Sequence, residues 1–278
     1  MKILALGTGN AFTETNFNQS FLLEEGNERL LFDCGRNIME ALSWHKIDIK
    51  TIQSVYISHL HNDHTGSLEP FAFSRYDWMG KPHEWDDPKR TRDYAPTLIC
   101  NSELMKDLWN ITLKGGLSCL EGINATLETY FKPQPIEGNA TFVWAGWTCK
   151  LIQQVHIMTG SMILSTFGLF MEKGKEKIYF TADSQHCSPK QIEVFYKEAT
   201  LIFQDCEITD FISGVHANFK QLAGYPEANS TVLPVSIRNK MWLSHYQDTY
   251  NNDTKGWDAK AAAAGFKGFL KNGQVIEV

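Results

Sequence analysis

Short apolar runs set off by Gly- and Asn-containing turns open the chain: KILALG from residue 2, QSFLLE from 19, RLLFDCG from 29 and SVYISH from 54. Their length and their content of Leu, Ile, Val, Phe and Tyr predict strands, with one helical stretch near residues 37–46. Further strands are predicted at TFVWAGWTCKLIQQVH (141–156), SMILSTFGLFME (161–172), KIYFTAD (177–183), LIFQDCE (201–207) and KMWLSHY (240–246). Leu104, Leu108 and Ile111 fall on one face of a helix over 101–114, which Gly115-Gly116 would end. Ser188 and Pro189 suit the cap and first turn of a second helix reaching Glu198. Residues 74–97 hold charges, aromatics and prolines without either period and read as a long loop insertion. No repeat or linker divides the chain, so a single α/β domain over residues 1–278 is expected.

Composition narrows the picture only a little. With 278 residues and 43% hydrophobic content, the chain can bury a large core. Six cysteines without a C-x-x-C pair suggest reduced thiols rather than a zinc ribbon or redox motif. The opening MKILALGTGNAF reads as neither signal peptide nor membrane span, which gives a cytoplasmic expectation and no membrane partner. A formal net charge of −6 opposes a large nucleic-acid partner, because such affinity comes largely from Lys and Arg neutralising phosphates. A small anionic ligand held by metals is compatible with it.

The chemistry concentrates in S-H-L-H-N-D-H-T-G at 58–66, which packs His59, His61, Asp63 and His64 directly after an apolar strand. Imidazoles and a carboxylate at that density suit a borderline-soft dication, and on a loop two pairs of donors can serve two neighbouring ions. A polar solvated loop is the bland alternative. Three more candidates follow strand-like segments: His156, Asp183 and His245. Alone, each would as easily be a satisfied structural residue, but loops at strand ends are where α/β folds place their sites.

At this point the chain resembles the metallo-β-lactamase superfamily, whose H-x-H-x-D-H signature matches His59, His61, Asp63 and His64. The resemblance implies a four-layered αββα sandwich. It implies that His59, His61 and His156 hold one metal, that Asp63, His64 and His245 hold a second, and that Asp183 bridges them. The cofactors expected are two divalent ions, Zn2+ first and Mn2+ as an alternative, since His/Asp sites do not fix metal identity.

L-G-T-G-N-A at 6–11, L-L-F-D-C-G at 30–35 and the histidine loop are similar to the ribonuclease Z branch in particular. D-C-E-I-T at 205–209 then stands where that branch has H-E-A-T, and His216 matches the histidine that protonates the leaving alkoxide. Glu207 is expected to orient it, so Asp63, His216 and Glu207 are the catalytic positions. Asp183 follows His156 by only 27 positions, which leaves no room for the arm that grips tRNA in that branch. In length, in this interval and in S-G-V-H the chain is similar to phage anti-Pycsar phosphodiesterases, a family that cleaves 3′,5′-cyclic mononucleotides such as cCMP and cUMP.

The resemblance thus implies a homodimeric phosphodiesterase opening small cyclic nucleotides, acting in the host cytoplasm if phage-encoded. RNA 3′-processing, lactone or thioester hydrolysis, and a binder that sequesters a nucleotide without turnover are the competing readings. Base contacts are sought in the aromatics of the insertion, Tyr76, Trp78, His83, Trp85 and Tyr94, because aromatic faces accept any base.

Overall fold

In a computed structural model of the chain, residues 1–78 and 95–278 are described. The expected insertion is in part helical: Leu68–Trp78 is a helix, and Thr97 opens a strand. Tyr76, expected in the loop, lies on that helix with its ring tilted 52° at 5.4 Å from buried Tyr130, and packs against the core. His83, Trp85 and Tyr94, expected to contact a base, lie outside the described residues, and of Trp78 only the helical backbone is described.

The chain divides into two compact units. The first comprises Met1–Gly7, Phe17–Gly138 and Gly273–Val278. Its strands are β1 (Lys2–Gly7), β2 (Ser20–Glu25), β3 (Glu28–Phe32), β4 (Ser54–Tyr56), β5 (Thr97–Asn101), the ribbon β6 (Cys119–Leu120) and β7 (Ile123–Asn124), and β8 (Lys132–Ile136). The second unit, Thr8–Asn16 with Asn139–Asn272, contains β9 (Thr141–Trp144), β10 (Trp147–Met158), β11 (Ile163–Lys173), β12 (Glu176–Phe180), β13 (Leu201–Asp205), β14 (Met241–Ser244) and β15 (Gly268–Phe269). The last strand, β16 (Val275–Glu277), returns to the first unit. Each unit holds a seven-stranded sheet, ordered β16-β1-β2-β3-β4-β5-β8 and β15-β14-β13-β12-β11-β10-β9.

The two sheets share a logic. β3, β4, β5 and β8 run parallel, as do β12 to β15. Parallel strands buried on both faces read as continuous apolar runs, which is why the sequence marks them. Their carboxyl ends are where side chains for chemistry gather. The interval from His156 to Asp183 is filled by the end of β10, a short turn, β11 and β12.

The helix over 101–114 departs from expectation. Asn101 caps an α-helical turn over Ser102–Asp107, the backbone widens to π geometry over Leu108–Leu113, and helix resumes through Lys114–Leu117. One extra residue in a turn rotates everything after it by about 100°. Leu108, Leu113 and Leu117 are consequently buried, and Ile111 stands 76% exposed. Gly115-Gly116 therefore lie within the helix and do not end it. The helix at Pro189 begins as expected, with Ser188 and Gln191 capping each other, and it too widens to π geometry over Ile192–Tyr196.

Candidate metal centre

In the first unit, the backbone after β4 turns so that Ser58 meets Asp33, at the end of β3: Ser58 N–H donates to Asp33 Oδ1 at 2.8 Å, and its hydroxyl to Oδ2 at 2.8 Å. Ser58 Oγ is also 3.1 Å from His59 Nδ1. The short helix Asn62–Thr65 then presents Asp63 and His64, both buried, while His61 is half-buried. Gly35 explains the L-L-F-D-C-G pattern, because a Cβ there would sit 2.1 Å from the Asp63 carbonyl oxygen. Cys34 N–H donates to His64 O, and Ser67 N–H to Cys34 O, stitching the two loops together.

Asp33 was not among the expected site residues. It is wholly buried and lies 2.7 Å from His64 Nδ1. Burial pushes its pKa up, against the opposing pull of His64 and the Ser58 hydrogen bonds. With the Nδ1 atoms of His59 and His64 engaged, their Nε2 atoms are turned to the site. His59 Nε2 lies 3.1 Å from His61 Nδ1, and His64 Nε2 lies 3.2 Å from Asp63 Oδ2. Those separations suit pairs of ligands on shared ions, since bonds of about 2.0–2.1 Å in a tetrahedral shell put ligands roughly 3.3 Å apart.

In the second unit, parallel strands β12, β13 and β14 carry Asp183, Asp205 and His245 at or just past their carboxyl ends. His156 lies within β10, at a bulge where the register to β11 shifts between Val155 and Ile157. A bulge re-aims one side chain. Here it turns His156 inward, 1% exposed, with Nδ1 3.1 Å from Val215 O and Nε2 3.7 Å from Asp183 Oδ2. Burial lowers its pKa despite Asp183, which favours the neutral imidazole that ligates metals. Ala182 and His245 have φ of 52° and 67°. Left-handed backbone at non-glycine residues is strained and clusters at functional sites.

Asp183, Asp205, His216 and His245 present donor atoms all within 4.8 Å of one another. His245 Nε2 is 3.3 Å from Asp183 Oδ2, and its Nδ1 is 3.4 Å from Asp205 Oδ1. His216 Nδ1 donates to Asp205 Oδ2 at 2.8 Å and lies 3.9 Å from Asp183 Oδ2. Burial alone would depress His216, but the charge and hydrogen bond of Asp205, with the charge of Asp183, raise its pKa above the ordinary histidine value.

Glu207 does not take the role expected of it. Its Oε1 accepts from Ser213 N at 2.9 Å and Asn218 Nδ2 at 3.2 Å, so it fixes the loop that carries His216 rather than the imidazole itself. Asp205, two residues earlier, holds the ring. Consecutive residues of a strand face opposite sides, so a strand-end Asp and the Glu two positions on share a side, and sequence alone does not say which reaches the histidine. Ser184 N–H donates to the same Asp205 oxygen, which ties the Asp183 loop to the dyad.

The structure superimposes on the metallo-β-lactamase fold protein YhfI from Bacillus subtilis with a TM-score of 0.70 at 17% identity, covering 99% of this chain and 98% of that one. The short form of human tRNase Z superimposes with a TM-score of 0.66 at 16% identity, covering 100% of this chain and 99% of that one. The fold is thus that of the metallo-β-lactamases, the class expected from the sequence.

Within that class the match is narrower. The family model described as Anti-Pycsar protein Apyc1 matches residues 1–276, and the chain belongs to that family. An Anti-Pycsar protein Apyc1 from Paenibacillus harenae is 31% identical over 250 residues, 90% of this chain and 91% of that protein.

Proposed function

We propose that the chain is a two-metal phosphodiesterase that hydrolyses 3′,5′-cyclic mononucleotides to linear monophosphates, and so removes the signal in cyclic-nucleotide immunity. The observation that carries this reading is the Asp205–His216 pair beside Asp183 and His245. A metal-ligating set alone would serve lactone or thioester hydrolysis equally well. A histidine with a raised pKa, held by a carboxylate, answers the separate need of a phosphodiester: a proton for the departing ribose oxygen. Membership of the anti-Pycsar family supports the small cyclic substrate.

The residues present fit a pair of divalent ions. His59, His61 and His156 would hold one, Asp63, His64 and His245 the other, and Asp183 both. The donor set is imidazole and carboxylate without thiolate, which suits Zn2+ or Mn2+. When bound, two such ions supply a hydroxide nucleophile near neutral pH and draw off charge developing on the phosphate. The protein's own part is orientation and proton transfer. Asp33 and Ser58 fix the rings of His64 and His59, the bulge at Val155–Ile157 aims His156, and Asp205 engages His216 Nδ1 so that Nε2 carries the proton to be given up.

The test is hydrolysis of a panel of cyclic mononucleotides beside a tRNA precursor, with and without chelator. Conversion to linear monophosphates that chelator abolishes, with the tRNA intact, is expected, and Asp183→Ala should lose metal content and turnover together. Cleavage of the tRNA instead, or full metal stoichiometry in Asp183→Ala, would overturn the assignment.

A further inference from the structure

Two phenylalanines in the second unit stand in solvent although their loops are tightly held. Phe12 is 85% exposed and Phe211 is 67% exposed. An exposed aromatic on a slack loop would need no explanation, but these loops are fastened at their bases.

The Phe12 loop is gathered on one carboxylate. Asp248 takes Thr13 Oγ1 at 2.5 Å and Asn16 Nδ2 at 3.0 Å on Oδ1, and the backbone N–H groups of Glu14 and Thr15 at 2.7 and 3.0 Å on Oδ2. Four hydrogen bonds to an ionised group are the strong kind, and they pull the carboxyl below its ordinary pKa against partial burial. The same loop is joined to a proposed metal ligand, since His245 N–H donates to Thr8 O at 2.8 Å and Asn10 N–H to Tyr246 O at 3.3 Å.

The Phe211 loop repeats the device. Glu207 fixes Ser213 N, while Asn218 Nδ2 donates to Phe211 O at 3.1 Å and Thr209 Oγ1 to the same carbonyl at 2.7 Å. That loop leads into His216. Ile208 N–H donates to Gln247 Oε1 at 2.7 Å, next to the Asp248 that gathers the Phe12 loop.

Two carboxylates thus hold the loops of two bare aromatic rings: Phe211 stands five positions before His216, and Phe12 four positions after Thr8, whose carbonyl accepts from His245 N–H. We infer that Phe12 and Phe211 are the contacts for the nucleobase, supplying flat apolar surface beside the phosphate-binding groups. The inference rests on the cyclic-nucleotide reading above and gives it the base contact that the insertion's Tyr76, packed in the core, does not provide. A π-face discriminates weakly among bases, so such a site takes purines and pyrimidines alike. Loops held before binding also lose little backbone entropy when the ligand arrives.

Calorimetric titration of the metal-loaded protein with a nucleoside 5′-monophosphate and with ribose 5-phosphate isolates the base. The wild type should prefer the nucleotide. Phe12→Ala and Phe211→Ala should each shrink that preference by about 5- to 100-fold. Phe12→Trp should keep it, and so should Trp44→Ala, an exposed aromatic of the first unit, 76% accessible. A preference untouched in both alanine variants overturns the inference, as does equal affinity of the wild type for the two ligands. A change in sedimenting mass with the preference intact overturns it too, because the rings would then face a second copy. If the preference behaves as expected but cyclic nucleotides are not hydrolysed, the hydrolytic reading falls and the base contact stands.

Discussion

Asp205 shows how one buried atom pair separates a family resemblance from this chain's own chemistry. The sequence offered D-C-E, and resemblance selected the glutamate; the structure selects the aspartate, 2.8 Å from the His216 ring. The choice has a measurable consequence. Asp205 raises the pKa of His216, so the imidazolium persists to higher pH than an ordinary histidine would allow. An acid catalyst works only while protonated, and the alkaline limb of kcat against pH marks its loss. Asp205→Asn keeps the shape and removes the charge, so the His216 pKa falls and that limb moves to lower pH, with kcat down by about 10- to 1,000-fold near neutrality. Glu207→Gln leaves the limb in place, since Glu207 contacts Ser213 and Asn218. A limb shifted by Glu207→Gln and not by Asp205→Asn would restore the earlier assignment.

At the scale of elements, strands were legible and helical register was not. Apolar runs such as KILALG and KIYFTAD became β1 and β12 because a buried strand needs little besides bulk and β-branching on both faces. The dense cluster at 59–64 was legible for a local reason also, since its donors are adjacent in sequence. Asp33 and Asp205 were not, because Asp33 meets His64 through the pairing of β3 with β4, and Asp205 meets His216 across a loop of irregular backbone. The helix after Asn101 failed differently: periodicity assumes 3.6 residues per turn, and the π segment Leu108–Leu113 breaks the count. Leu104, Leu108 and Ile111 define the face that an unbroken helix would bury, whereas the chain buries Leu108, Leu113 and Leu117 and leaves Ile111 exposed. Leu113→Ala should cost about 2–4 kcal/mol of unfolding free energy by urea denaturation. Ile111→Ala should cost less than about 0.5 kcal/mol. The reverse ranking would mean that the helix is regular in solution.

The whole molecule enters through its charge. With 26 basic against 32 acidic residues, the chain lacks the excess of cations by which proteins hold extended phosphate backbones. Its proposed attraction for phosphate is instead confined to a metal pair, which meets one phosphodiester at a time. These two modes of binding respond differently to salt. A surface that neutralises six to ten phosphates loses about 10³–10⁵ in affinity between 50 and 200 mM salt, because each contact releases condensed counterions. A single phosphodiester carries no condensed counterion layer, so the KM for a cyclic mononucleotide should rise by no more than about threefold over that range. Excess tRNA should leave the rate unchanged at either salt concentration. Inhibition by tRNA that fades steeply with salt would show a polyanion surface that the net charge of −6 conceals, and would move the substrate class toward RNA.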